Sequence, residues 1–253
     1  MSDQTTSTTN RTAAPRTAAI VPAYNAAAKV GDVIQGLTGR VDMIIVVNDG
    51  SSDETARVAR EAGAHLVEHE VNSGLGCALR TGFKEALALE ADLVITLDAD
   101  GQHAPEDVQR VLARLIKNHC EMVIGSRMCD RSQWHKFPPF RFFGNLLLTA
   151  LTNAAVGHKV TSDSQSGYRA FNREVLEQIT LQSTHMAISS EIILEVAGNG
   201  FRIAEVPIEA TYEDEVSAQR FFTDPATIMW MLIKRWNRRV TRRVSTKVNK
   251  QNA

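Results

Sequence analysis

From residue 18 to residue 126 the chain alternates short β-branched apolar runs with longer amphipathic segments. Apolar runs at 18–22, 43–48, 65–68, 93–98 and 121–126 predict strands. The segments between them, 28–37, 53–62, 76–89 and 105–117, carry helical spacing, the last with Pro105 in its first turn. This alternation predicts an α/β domain, a mostly parallel open sheet covered by helices.

After Ser126 the rhythm breaks at Pro138 and Pro139, and an uncharged stretch follows at 142–157. It holds Asn145, Thr149, Thr152 and Asn153 and falls short of the roughly 20 apolar residues a membrane span needs. A docked or interfacial helix is expected there. Helices at 174–179 and 190–198 and a late strand at 202–207, joining the sheet, complete the domain. A last helix is expected at 225–244. Its first half, Ile228 to Ile233, is apolar all round, whereas in the second half Met229, Ile233, Trp236 and Val240 share a face opposite Lys234, Arg235, Arg238, Arg239 and Arg242. Such a helix lies in an anionic membrane interface or packs on the sheet with a solvated basic end; both readings stay open. The expected organisation is a disordered leader at 1–17, one domain at 18–224 and a basic amphipathic tail at 225–253.

With 253 residues and 43% apolar content the chain can bury a substantial core. The formal charge of −1 hides an asymmetry, since residues 226–253 contain eight Lys or Arg and no acid, leaving 20 basic against 29 acidic groups elsewhere. The tail, not the body, is placed to meet an anionic surface. Cys77, Cys120 and Cys129 have neither paired nor metal-ligand spacing and suit a reducing compartment, and no secretory signal is visible. The seven His residues make no zinc pattern. Gly74, Gly76 and Gly82 lack the lysine of a P-loop, which excludes a Walker-type nucleotidase.

Two predicted strands end in acidic turns, Asn48-Asp49-Gly50-Ser51-Ser52-Asp53 and Asp98-Ala99-Asp100-Gly101-Gln102-His103. An isolated Asp-x-Asp reads equally well as a turn serving its own backbone. In open parallel sheets, however, ligands collect beyond the carboxyl ends of the strands, so Asp49, Asp98 and Asp100 are expected around one crevice. Crowded carboxylates repel one another unless a cation or a donor-rich ligand compensates.

With Val21-Pro22-Ala23-Tyr24-Asn25, Asn72-Ser73-Gly74-Leu75-Gly76-Cys77-Ala78, Gly125-Ser126-Arg127 and Asp163-Ser164-Gln165-Ser166-Gly167-Tyr168-Arg169 added in order, the chain resembles glycosyltransferase family 2 of the GT-A fold, in its dolichol-phosphate mannosyltransferase-like branch. The resemblance implies a nucleoside-diphosphate sugar as donor, Mg2+ or Mn2+ as cofactor and transfer with inversion. By position it assigns the donor to Pro22, Ala23, Tyr24 and Asp49, and the metal and diphosphate to Asp98, Asp100 and Gln102. It assigns an acceptor phosphate, carried by a polyprenyl lipid, to Arg127, Arg141 and Asn145. Guanidinium forks suit phosphate oxygens; the alternative for each Arg is a surface ion pair.

A phosphomonoester, with a second pKa of about 6, attacks without a base, whereas a hydroxyl acceptor needs one. Asp163 and Glu191 are the candidates, Asp163 alternatively capping its loop and Glu191 alternatively stabilised at a helix start. His103 either touches diphosphate or is structural, and Tyr168, Trp134 and Trp230 either stack on ligand or pack. The sequence departs from the branch at Ala26, where Glu is usual, and at Val216-Ser217-Ala218-Gln219-Arg220, where Arg220 stands in for a missing Lys of the donor site. A hydroxyl-directed transferase, and a non-catalytic nucleotide-sugar-binding subunit of a membrane complex, are the other readings. The expected setting is the cytoplasm, peripheral to an anionic membrane, alone, with a membrane protein partner or as a homo-oligomer, and without nucleic acid.

Overall fold

The computed structural model describes residues 14–117 and 119–209. Arg220, the helix expected at 225–244 and most of the expected leader lie outside the described residues. The sheet contains β1 (Thr17–Ala23), β2 (Met43–Asp49), β3 (His65–His69), β4 (Leu93–Thr96), β5 (Met122–Ser126), β6 (Arg169–Asn172) and β7 (Ile203–Pro207), in the order β3-β2-β1-β4-β6-β5-β7. All neighbours are parallel except around β6, which runs antiparallel to β4 and β5. The mostly parallel open sheet is therefore as expected, and β7 joins it at the edge beside β5. The sequence pattern missed β6.

Alternate residues of each strand feed two apolar layers, one on each side of the sheet. Ile20, Ile45, Val47, Val94, Met122, Ile124 and Phe171 share one core. It is covered by α3 (Leu75–Ala88), α6 (Arg173–Gln178), α7 (Ile188–Gly198) and the C-terminal end of α5 (Pro139–Val156). Ala19, Val21, Val46, Leu93, Ile95, Val123 and Ala170 share the other, under α1 (Val30–Leu37), α2 (Thr55–Glu61) and α4 (Val108–Lys117). In α4 the buried residues are Val108, Val111, Leu112 and Leu115, the i, i+3, i+4, i+7 stripe a helix lays on a sheet. Strands buried on both faces read as unbroken apolar runs, which is why most were visible in the sequence.

Three differences from the expected elements bear on function. Strand β4 stops at Thr96, so Asp98 stands in the turn beyond it rather than at a strand end. The helix expected at 105–117 opens with a 3₁₀ turn, Pro105–Asp107, before α4 proper. The uncharged stretch forms α5 three residues earlier than expected, with Pro139 at its start and a left-handed Gly157 closing it through a bond to the Asn153 carbonyl at 2.8 Å.

The polarity of α5 is inverted. Asn145, Thr149 and Thr152 face the protein and are buried, while Phe140, Phe143, Leu146 and Leu147 are 61%, 66%, 48% and 59% exposed. No helix among the described residues is long and apolar enough to cross a membrane.

Candidate active site

The turn after β4 carries the acidic pair. Asp98 is seated against the backbone of Gly167, where an added Cβ would lie 2.6 Å from both carboxylate oxygens. Only glycine leaves that seat. Thr96 fixes the contact from the strand end by donating its hydroxyl to the Gly167 carbonyl at 2.6 Å. The Asp98 Oδ2 meets His103 Nε2 at 3.3 Å. Asp100 is solvent-exposed and accepts the Gln102 backbone N–H at 2.9 Å on Oδ1.

The two carboxyls are pushed apart in acidity. Around Asp98 desolvation opposes ionisation, but His103 and the charges of Arg127 and Arg169 outweigh it and hold the group below the ordinary carboxylate range. For Asp100 partial desolvation comes first and the charge of Asp98 adds to it, so its pKa is raised, an effect that solvent on its exposed side keeps small. Two neighbouring carboxylates at odds with each other fit a divalent cation, which would relieve the repulsion. By chemistry the group fits Mg2+ or Mn2+, since the Asp98 and Asp100 carboxylates and the Gln102 side-chain carbonyl are oxygen donors. No group of three or more His, Cys, Asp or Glu that could hold a metal ion is gathered among the described residues.

A stability effect follows. A group whose folded pKa is raised favours the fold while protonated, below the unfolded value, and loses that contribution as pH rises through the folded value. At pH 7 without metal, Asp100→Asn should raise Tm slightly, and the gain should vanish when Mn2+ is added to both proteins. A lower Tm for the variant in calorimetry at pH 7 would contradict the sign.

Beyond β5, Arg127 and Asp163 form a buried pair, their side chains 13% and 0% exposed. Arg127 Nε donates to Asp163 Oδ2 at 2.8 Å and a terminal nitrogen to Oδ1 at 3.0 Å. The same carboxylate accepts the Arg127 backbone N–H at 3.2 Å and Asn145 Nδ2 at 2.7 Å. Burial pushes Asp163 up, but Arg127 and Asn145 together hold it below the usual range. Thr149 links Asn145 to Ser164 at 2.9 and 3.1 Å, so α5 reaches the cluster through its polar face. Arg141, half-buried, lies one turn before Asn145 on the same face.

Arg169, at the start of β6, is 2% exposed and spends its guanidinium on three carbonyls, Ser164 at 2.7, Ser166 at 2.8 and Ser189 at 2.8 Å. Burial lowers it to about 10, against the favourable charges of Asp163 and Asp98. It ties down the loop that carries Asp163 on one side and Gly167 on the other. Sequence reading assigned neither Arg169 nor Gly167 a role, and the only signal was their place in Ser166-Gly167-Tyr168-Arg169.

Pro22, Ala23 and Tyr24 lie at the carboxyl end of β1, beside the end of β2. There Asp49, 4% exposed, accepts Ser73 N–H at 2.9 Å and Gly74 N–H at 2.7 Å and meets His69 Nδ1 at 2.7 Å. The acidic turn after β2 also knits the chain beyond Tyr24: Ser51 accepts from Asn25 N–H at 2.9 Å, Thr55 from Ala26 N–H at 2.8 Å and Asp53 from Ala27 N–H at 3.1 Å. Glu191, on α7, is 4% exposed and accepts the backbone N–H groups of Gln182 and Ser183, the latter at 2.8 Å. It holds the loop that abuts the start of α3, where Gly76 N–H donates to the Thr184 carbonyl at 2.7 Å.

Residues 18–180 match glycosyl transferase family 2, and the chain belongs to that family. It is 35% identical over 215 residues to the UDP-N-acetylglucosamine–dolichyl-phosphate N-acetylglucosaminyltransferase of Methanococcus voltae, covering 77% of this chain and 85% of that one. It is 31% identical over 211 residues to the polyprenol monophosphomannose synthase of Mycolicibacterium smegmatis, covering 78% and 77%. The crystal structure of Mycobacterium tuberculosis glucosyl-3-phosphoglycerate synthase superposes with a TM-score of 0.67 at 20% identity, covering 88% of this chain and 81% of that one. The fold is GT-A, and the protein is a glycosyltransferase, with relatives named for dolichyl phosphate and for polyprenol monophosphomannose.

Proposed function

We propose that this glycosyltransferase moves a hexose from a nucleoside-diphosphate sugar to a polyprenyl phosphate, with inversion. The observation that carries the reading is α5. Its inner face brings Asn145 to the Arg127–Asp163 pair, and its outer face presents Phe140, Phe143, Leu146 and Leu147. A ligand with an anionic head and a long apolar tail matches both faces, and a lipid bilayer is the occupant we assign to the outer one.

The chemistry needs an oxygen nucleophile at the anomeric carbon and a stabilised diphosphate leaving group. The acceptor phosphate oxygen forms the new C1–O bond as the bond to diphosphate breaks, the electron pair leaving with the diphosphate. Attack from the side opposite the leaving group inverts C1. Arg127, Arg141 and Asn145 would hold the acceptor phosphate, and Pro22, Ala23, Tyr24 and Asp49 the donor. Asp98, Asp100 and Gln102 would hold Mg2+ or Mn2+, which supplies positive charge where negative charge develops on the leaving group. A glucosyl-3-phosphoglycerate synthase with the same fold crystallised with Mn2+ and uridine diphosphate. No base is required, since phosphate is already largely ionised at pH 7, with a second pKa of about 6. That agrees with the commitments of Asp163 to Arg127 and of Glu191 to backbone amides.

The test is transfer from radiolabelled nucleoside-diphosphate sugars with Mn2+, comparing polyprenyl phosphate with soluble sugars. Product on polyprenyl phosphate alone is expected. Turnover only on hydroxyl acceptors, or donor binding without turnover, would overturn the proposal. In liposome co-sedimentation Phe143→Asp with Leu147→Asp should reduce binding about tenfold or more, each buried apolar side chain being worth about 1.5–3 kcal/mol. Unchanged co-sedimentation would remove α5 from the membrane contact.

A further inference from the structure

His103 is assigned no part in the chemistry above, yet it is held more tightly than a spacer requires. Its side chain is 3% exposed, and its ring stacks on that of Tyr168 with centroids 5.2 Å apart and planes inclined by 16°. Tyr168 is fully buried, and its hydroxyl donates to the carbonyl of Ala104, the residue after His103, at 3.3 Å. The stack and the Tyr168 bond fix the plane of the imidazole. One ring nitrogen, Nε2, faces Asp98 Oδ2 at 3.3 Å, whereas the other, Nδ1, is buried with no hydrogen-bond partner among the described residues. An unsatisfied buried polar atom destabilises the fold, a cost that a phenyl ring stacked in the same slot would not carry. The polar function of the ring is therefore at Nε2.

We propose that His103 is a positioning residue that aims the Asp98 carboxylate at the cation. The inference rests on the proposed assignment of Asp98 as a metal ligand. Nε2–H donates to Oδ2 while the Gly167 backbone stands against the carboxylate and leaves no space behind it. With Oδ2 engaged by His103, Oδ1 would be the oxygen left for a cation. A carboxylate fixed this way would favour binding through one oxygen, which would suit Mg2+ or Mn2+ better than Ca2+, whose larger shell takes bidentate carboxylates readily. Partners behind a metal ligand typically change affinity by about 10–100-fold when removed.

The experiment is direct Mn2+ and Ca2+ titration of the full chain, with Tm recorded for each protein, using the unaltered protein, Asp98→Asn, His103→Phe and His103→Gln. His103→Phe keeps the stack and removes the donor; His103→Gln restores a donor. The expected result is a Mn2+ Kd about tenfold weaker for His103→Phe at undiminished Tm, with His103→Gln within about threefold of the unaltered protein and the Mn2+ preference over Ca2+ reduced only in the phenyl variant. His103→Leu, a second variant without a donor, gives the same reading should the phenyl variant not fold. Unaltered Mn2+ affinity in the donor-free variants, with binding lost in Asp98→Asn, would overturn the positioning role and leave the metal assignment standing. Equal Mn2+ binding by Asp98→Asn and the unaltered protein would overturn both.

Discussion

Replacing Asp98 with Asn should lower kcat for sugar transfer about a thousandfold or more, or about 4 kcal/mol of transition-state stabilisation, while leaving the fold intact. The substitution keeps shape and volume, and an amide oxygen still accepts from His103, so only the charge is lost. That charge matters most as the sugar–diphosphate bond breaks, when negative charge builds on phosphate oxygens that a cation at Asp98 and Asp100 would offset. The energy of the Asp98 environment already points this way. His103, Arg127 and Arg169 together favour its ionised form against the desolvation it suffers. The same loss should be reachable without touching the carboxylate. A Gly167→Ala methyl would fall 2.6 Å from both Asp98 oxygens and displace them. Rates for both variants at saturating donor and Mn2+, with circular dichroism to confirm folding, decide the matter. An Asp98→Asn enzyme turning over within about tenfold of the unaltered rate would refute the assignment.

Much of the framework could be read in the sequence because strands buried on both faces are continuous apolar runs and α4 follows a strict helical stripe. The acidic turns after β2 and β4 were legible for a topological reason: in a parallel sheet, residues following successive strands emerge on the same edge. What stayed hidden depends on contacts remote in sequence. β6 is four residues long and opens with Arg169, whose burial is possible only because carbonyls from two other segments satisfy it. No local pattern announces that. The stretch forming α5 was recognisable as an uncharged helix, but not which side faced inward. That side is set by Asp163, 18 positions away, drawing Asn145 into the core. Asp163 and Glu191 as bases were open to alternatives because a carboxylate looks the same in sequence whether it faces water, a guanidinium or backbone amides.

Removing the Asp163 side chain should be the most damaging single change to stability. Breaking a buried ion pair by deleting one partner costs about 3–5 kcal/mol, because the other charge is left uncompensated. Asp163→Ala removes the buried carboxylate to which Arg127 and Asn145 both donate. For a domain of this size each kcal/mol moves Tm by about 2–4 °C, so a fall of roughly 10 °C is expected. The pH dependence has a definite sign. The folded pKa of Asp163 is held below its ordinary value, so its stabilisation is present above the unfolded value of about 3.9 and is lost as pH falls through the folded value. The gap between the unaltered protein and Asp163→Ala should thus be constant from neutrality to about pH 5 and narrow only in stronger acid. Function should suffer in a different way from Asp98→Asn. With Arg127 and Asn145 no longer held in register, the KM for polyprenyl phosphate should rise while Mn2+ affinity changes less. Denaturation curves across pH, together with acceptor and metal titrations at a temperature where the variant is folded, measure both effects. A variant that melts within about 2 °C of the unaltered protein would show that the pair contributes no net stability, and an unchanged acceptor KM would separate this cluster from the acceptor phosphate.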